Sequence, residues 1–448
     1  MTRTMTTQQQ AHQLGEPLLL ADVAQEEPQW LQLARQEAVA RFNELGMPTT
    51  RNEDWKYTSL RPLLEAGIEF KKIRSATVTK TIVEEYQLLN SPELLLVFVD
   101  GCYQAELSSI HTVQGLTIDR FTAASALDDR LTVAFNALAG VDDDAFVAMN
   151  TALFSDGVIV HVARNASVDL PIRILNITSE HAANAAISAR NLIVVEPGAS
   201  ATVIEDYVSC EDTTHLTNAV TEVMVGESAD VHHYYLAREN DHAFNFSTLK
   251  IHQADRSKFT SHNVLLNGRI VRNRINPIID GEHVQSVLNG IYIGRGEQHL
   301  DNLMRVEHRK PNCDSRQYYK GILCDQSRGV FTGRIIVSQD AQKTDAVQSN
   351  ENLLLSPDAQ AQTRPQLEIY ADDVKCTHGA TIGELDDDAL FYFRSRGLDE
   401  TTAKSLLVYA FACESIDRIE HEELRTVIRS LMLRKLPNMT SLEDIGAM

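Results

Sequence analysis

The sequence predicts a mainly β chain: a parallel β-helix core between an N-terminal helical or α+β region and a C-terminal helical domain. Three observations carry that prediction. From about Asp156 onward, helical spacing gives way to short β-rich runs. A template of apolar strand end, small-residue corner and new apolar strand then recurs roughly every 15 to 35 residues, the signature of a stacked array. No long helix separates the strands, which argues against a doubly wound sheet. A β-sandwich is the competing arrangement.

The 448 residues exceed one ordinary core. They divide into residues 1–150, 151–383 and 384–448. The chain is 43% hydrophobic and 23% charged, ordinary for a globular protein, and its net charge of −21 disfavours binding to nucleic-acid phosphates or an anionic membrane. The six cysteines are scattered without a Cys-x-x-Cys, which reads as reduced thiols in a cytosol. No apolar run approaches the roughly 18 residues of a spanning helix. Residues 1–15 are polar, without the apolar stretch of a signal peptide, and are expected to be disordered.

Taken in order, residues 26–45 read as a helix with Trp30, Leu31, Ala34, Ala38 and Phe42 on one side, stopped by Gly46 and Pro48. An aromatic, charged turn follows at 51–60, anchored by Trp55. Residues 94–100 form a buried strand ending at Asp100-Gly101. Residues 121–150 carry helical spacing. The β corners then fall at Asn165-Ala166, Pro197-Gly198-Ala199, Gly226 to Ala229, Gln253 to Asp255, Asp280-Gly281 and Gly294 to Gly296, and the stack continues to Ile369. After Gly383 the chain turns helical. Asp386 to Asp388 open one helix, Gly397 ends it, and Asp399 caps a second. Residues 406–413 of that second helix are apolar on every side, so it is buried in its own domain or docks on a partner. A third helix covers 421–436.

The chemistry concentrates in residues 367–383. On an extended segment Cys376 and His378 point to the same face. A thiolate and an imidazole together suit iron or zinc, but a tetrahedral site needs four ligands. The structural alternative is a buried thiol at a strand end and a histidine in a turn. Other motifs are weaker. Gly226-Glu-Ser228-Ala-Asp230 lacks the last glycine of a nucleophile elbow, and Gly294-Arg-Gly296 lacks the helix of a dinucleotide site. His232 and His233 are adjacent on a strand and face opposite ways. Cys313 and Cys324 read as packing thiols. Arg269, Arg272 and Arg274 read as a solvated basic face. No P-loop occurs, so ATP hydrolysis by that route is excluded.

Four segments resemble the SufB/SufD family of iron–sulfur cluster assembly: Asn52-Glu-Asp-Trp-Lys-Tyr57, residues 343–356, Pro365-Gln-Leu-Glu-Ile-Tyr-Ala-Asp-Asp-Val-Lys-Cys-Thr-His-Gly-Ala-Thr-Ile-Gly383 and Leu390-Phe-Tyr-Phe-Arg-Ser-Arg-Gly397. The likeness is to the SufD branch, since Gly379 follows His378 where SufB would carry an acidic residue. The resemblance implies a right-handed parallel β-helix between helical terminal regions. It implies a cytoplasmic scaffold without enzymatic activity, paired with SufB through the β-helix ends and receiving the ATPase SufC on residues 384–448. It makes His378 a metal ligand or transfer residue at the SufB junction, with Cys376 beside it, and ties the chain to iron entry. Iron or a transient iron–sulfur cluster would be shared with SufB, which would supply the sulfur-accepting cysteine, and none would be held tightly by this chain alone. Without SufB the chain could form a homodimer. The alternatives are a purely structural paralogue of SufB and a carbohydrate-active β-helix enzyme, for which no ladder of carboxylates is visible.

Overall fold

A computed structural model describes residues 27–70, 76–122, 134–141 and 144–436. The disorder expected of residues 1–15 lies outside them, as do residues 123–133 and 142–143 of the 121–150 segment. Among the described residues two sheets form, of ten and nine strands. From Gly157–Val162 to Lys375–Gly383, successive strands alternate between the sheets and pair in parallel with the strands one coil away. This is a parallel β-helix of about eight coils. Phe244, Ile270, His299, Arg328 and Gln360 stack in one column, 26 to 32 residues apart. Both sheets begin before residue 151, with Leu94–Val99 in one and Leu116–Arg120 in the other.

The corners explain why the small-residue template repeats. Most corners on one side of the stack hold a residue with positive φ, including Asn165, Gly198, Ser228, Arg256, Asn312 and Lys343. That bend turns the backbone N–H along the stack. Gly198 donates to Glu227 O at 2.8 Å, Ser228 to Asp255 O at 2.8 Å and Arg256 to Glu282 O at 2.7 Å. Each corner is therefore bonded to the next. Ser228 is one link of this ladder, consistent with its rejection as a nucleophile.

Inside the stack, strand alternation sends one residue in two into a shared lumen. Most of these are apolar, among them Val203, Phe259, Leu288, Tyr319, Phe331 and Ile335. Some polar members pair within the lumen. His233 bonds Glu205 at 2.9 Å and Ser261 at 3.1 Å, and Glu205 also accepts from Tyr207 at 2.7 Å and Asn191 at 3.0 Å. His232 faces outward near Asp230 and Glu420, so the adjacent pair does diverge.

Helices cover the outer faces. α1 is Gln29–Leu45, with Leu31, Ala38 and Phe42 buried as its spacing predicts, and Gly46 follows at φ 64°. α2 (Arg61–Glu65) and α3 (Lys80–Glu85) are short. α4 is Ala145–Leu153, narrower than the helical spacing over 121–150 suggests. Asp144 fixes its start by accepting from the Phe146 and Val147 N–H groups. The Asn52–Tyr57 turn clamps one sheet. Trp55 stacks on Phe146 at 5.3 Å and carries the Arg272 guanidinium 4.0 Å above its ring. Thr58 bonds Asp301, which also pairs with buried Arg272, and Arg274 pairs with Asp144. The solvated basic face is thus a correction: only Arg269 stays exposed. Charges close in sequence find carboxylates far from them, because helix and turn replace water on this face.

α5 (Asp387–Ser395) starts at Asp386, whose side chain accepts from Asp388 and Ala389, and Gly397 follows it at φ 91°. α6 (Glu400–Ile416) is capped by Asp399, and α7 is Glu422–Lys435. The apolar α6 is covered first by its own chain. Val408, Ala412 and Ile416 pack with Tyr234, Val264, Ile291 and Ile322 on the other sheet, and Ser415 Oγ donates to Gly290 O at 3.1 Å.

Under this helical layer lies His262, fully buried with neither ring nitrogen partnered. Burial, with the Arg418 charge, pushes its imidazole down to about 3. Below pH 6.5 the unfolded chain takes a proton there that the folded chain refuses, so stability falls as pH drops from 6.5 toward 3. His262→Leu should therefore flatten the acid-side loss of unfolding free energy by about 1.4 kcal/mol per pH unit, read from urea melts over that range.

Candidate functional site

The strand Lys375–Gly383 carries the two residues singled out by the sequence, and it is the last of its sheet. It pairs on one side with Asp345–Leu354 and, among the described residues, has no neighbour on the other. Gln360–Ile369 ends the second sheet in the same way. Ala346 lies opposite Cys376, and Gln348 lies opposite His378. Both partners are buried in the lumen. Parallel pairing in register keeps side chains on one face, so Cys376 and His378 both belong to the lumen side, at its open mouth. Cys376 is half-buried against the core, and His378 is exposed. The strand across the mouth contributes Thr363 and Leu367, in register with lumenal Phe331 and Ile335.

The backbone at this end is equally open. Lys375 N–H donates back into the stack, to Thr344 O at 2.8 Å. In parallel pairing, alternate residues turn their N–H and C=O groups to opposite sides. Those of Cys376, His378 and Ala380 consequently face away from the stack. Among the described residues, α6 and α7 do not cover them, since both lie along the outer face of a sheet. Five of the nine exposed large apolar side chains among the described residues lie on this last coil and on α5: Ile369, Tyr370, Ile382, Phe391 and Tyr392. Clustered apolar exposure of this kind marks an interaction surface.

Partial burial pushes the Cys376 thiol up from its ordinary value, so it is a protonated thiol at neutral pH and would give up its proton to a metal. Among the described residues no three His, Cys, Asp or Glu side chains converge as a metal centre. Cys376 and His378 are two donors of the right chemistry for iron, on a site that this chain does not close. The remaining thiols offer less. Cys313 and Cys324 are buried, and burial pushes both up to about 11. They pack, as their setting in the sequence suggests.

Comparison with known proteins gives the family. Residues 176–411 match the family model described as "SUF system FeS cluster assembly, SufBD core domain", and residues 19–174 match "SufBD protein N-terminal region". The chain belongs to the SufBD family. Among its relatives, the iron–sulfur cluster assembly protein SufD of Escherichia coli is 33% identical over 90% of this chain and 92% of its own length. A SufBD family protein of Synechocystis is 30% identical over 88% of this chain and 89% of its own. SufD of Bacillus subtilis is 25% identical over 92% and 95%. This SufBD member is accordingly of the SufD type, an iron–sulfur cluster assembly protein. Among its described residues no helix is long and apolar enough to cross a membrane.

Sequence reasoning missed Gln348, the lumenal residue one coil beneath His378. The coil length is the signal that reveals it. Because His378 is exposed and Cys376 only half-buried, neither secures the fold. His378→Ala and Cys376→Ser should each change unfolding free energy by less than about 1 kcal/mol in denaturant melts.

Proposed function

We propose that this chain is the SufD half of a scaffold that builds iron–sulfur clusters at its junction with SufB. One observation carries the reading: the only paired soft-metal donors singled out by the sequence sit at the lumen mouth of an unpaired terminal strand. A second β-helix stacking on that edge would satisfy the open backbone groups of Cys376, His378 and Ala380. It would also bring the ligands that this chain lacks. In this reading SufB supplies the sulfur-accepting cysteine and completes the coordination sphere. His378 and Cys376 take iron as it enters, and the nascent cluster is shared rather than owned.

The chain does no bond-breaking chemistry of its own in this scheme. ATP is hydrolysed by SufC, which docks on the C-terminal helices. α5 is the favoured contact, because none of its residues is buried while Phe391 and Tyr392 stand 73% and 55% exposed. Six cysteines scattered without a Cys-x-x-Cys fit work in a reducing cytoplasm.

Three results test this reading. His378→Ala should fail to restore cluster assembly in a strain lacking the gene, while the complex still forms. Full restoration would reduce the chain to an architectural role. Ala380→Pro, which deletes an outward N–H from the edge, should weaken SufB pairing at least tenfold by titration. Phe391→Glu should lose SufC in pull-downs but keep SufB, and unchanged SufC capture would move that docking site elsewhere.

A further inference from the structure

We infer that Gln348 is the positioning residue of the mouth: its side-chain carbonyl accepts a hydrogen bond from one ring nitrogen of His378 and so presents the other nitrogen's lone pair outward. The inference rests on the proposed function for its purpose, though not for its geometry. Gln348 and His378 are register partners on adjacent strands, about 4.8 Å apart, with side chains on the same face. Gln348 is buried, and its Nε2 donates downward to Gln317 Oε1 at 2.7 Å. Its Oε1 is left buried with no partner. An unmet carbonyl buried in a lumen is destabilising until a donor reaches it. The neighbour one coil above is an imidazole, which in its neutral form carries one N–H donor and one acceptor.

The space for the amide is built into the facing strand. A Cβ on Gly333 would stand 2.2 Å from Gln348 Nε2, so with any other residue there the amide would have to leave this position. Gln317, the next member of the column, has an unpartnered Nε2 of its own. The column Gln317, Gln348, His378 is thus an amide ladder that runs up the lumen and ends at the mouth. Histidines that bind metals are generally oriented by such a bond from their second nitrogen, which fixes the tautomer. The ladder provides that bond from the rigid stack and leaves the outward nitrogen free for cargo.

The test is the tautomer of His378 in the full-length chain. The protein has 15 histidines. With 15N-labelled histidine, the His378 ring signals are assigned by their loss in His378→Gln. The ring should sit in one dominant tautomer in the native chain, clearly removed from the mixture of a histidine peptide. Gln348→Met, of similar volume and without a carbonyl, should return it to that mixture. Gln348→Glu keeps an acceptor, and Gln317 can turn its free Nε2 toward the new carboxylate, so the dominant tautomer should persist. A peptide-like mixture in the native chain, or an unchanged tautomer in Gln348→Met, overturns the inference. Should Gln348→Met not fold, loss of the dominant tautomer in folded Gln348→Glu overturns it equally. None of these readings depends on cluster assembly. An inert His378→Ala in the genetic assay would remove the proposed function and leave the tautomer result standing.

Discussion

A parallel stack has to stop somewhere, and where it stops its backbone is left unmet. In this protein the requirement falls on Lys375–Gly383 and Gln360–Ile369, the last strands of the two sheets. Natural sheets normally blunt such edges with charge, bulges or a covering helix, because an open edge recruits other chains. Here the covering helices are present but placed elsewhere. α6 and α7 pack on the outer face of one sheet and leave the end bare. The opposite end is treated differently. There the chain folds back into short antiparallel strands, Cys102–Tyr103 and Leu116–Arg120. The asymmetry leaves one end of the stack closed by antiparallel strands and the other open.

The rest of the fold serves to hold that open end still. Corner-to-corner hydrogen bonds run up one side of the helix, and bonded polar side chains such as Glu205, His233 and Ser261 link coils within the lumen. On one outer face the N-terminal turn adds a strap. Glu53 accepts from Arg334 at 3.2 Å and from Arg364 at 3.0 Å, and Arg364 lies on the last strand of its sheet. Trp55, three coils back, anchors the same turn. The Asn52–Tyr57 turn therefore reaches from the middle of the stack, through Trp55, to its open end, through Glu53. A site placed at that end inherits the rigidity of the whole column, which suits ligands that must meet others on a second protein.

The sequence makes the common face of Cys376 and His378 legible, because alternation on a strand is a local rule. The repeat is legible for the same reason: its corners are short and small-residue rich. What lies beyond it are matters of partnership. Arg272 and Arg274 look like surface charge until Asp301 and Asp144 are brought to them by the fold. Arg256 and Lys343 adopt positive φ without being glycine or asparagine, held there by the corner ladder, so their residue types give no warning. Residues 406–413 announce a helix that needs covering on every side, but not that its own sheet supplies part of the cover. Gln348 becomes visible only when the coil length is known, since nothing near it in sequence points thirty residues ahead.

The central claim is that the backbone edge of the last strand is completed by a sister β-helix. Hydrogen exchange of the amides of Cys376, His378 and Ala380 measures it directly. In the chain alone these outward N–H groups should exchange as solvent-facing groups, and mixing with SufB should slow them by at least a hundredfold while the neighbouring coil changes little. Unaltered exchange at these three amides, with protection arising on another surface, would contradict the account.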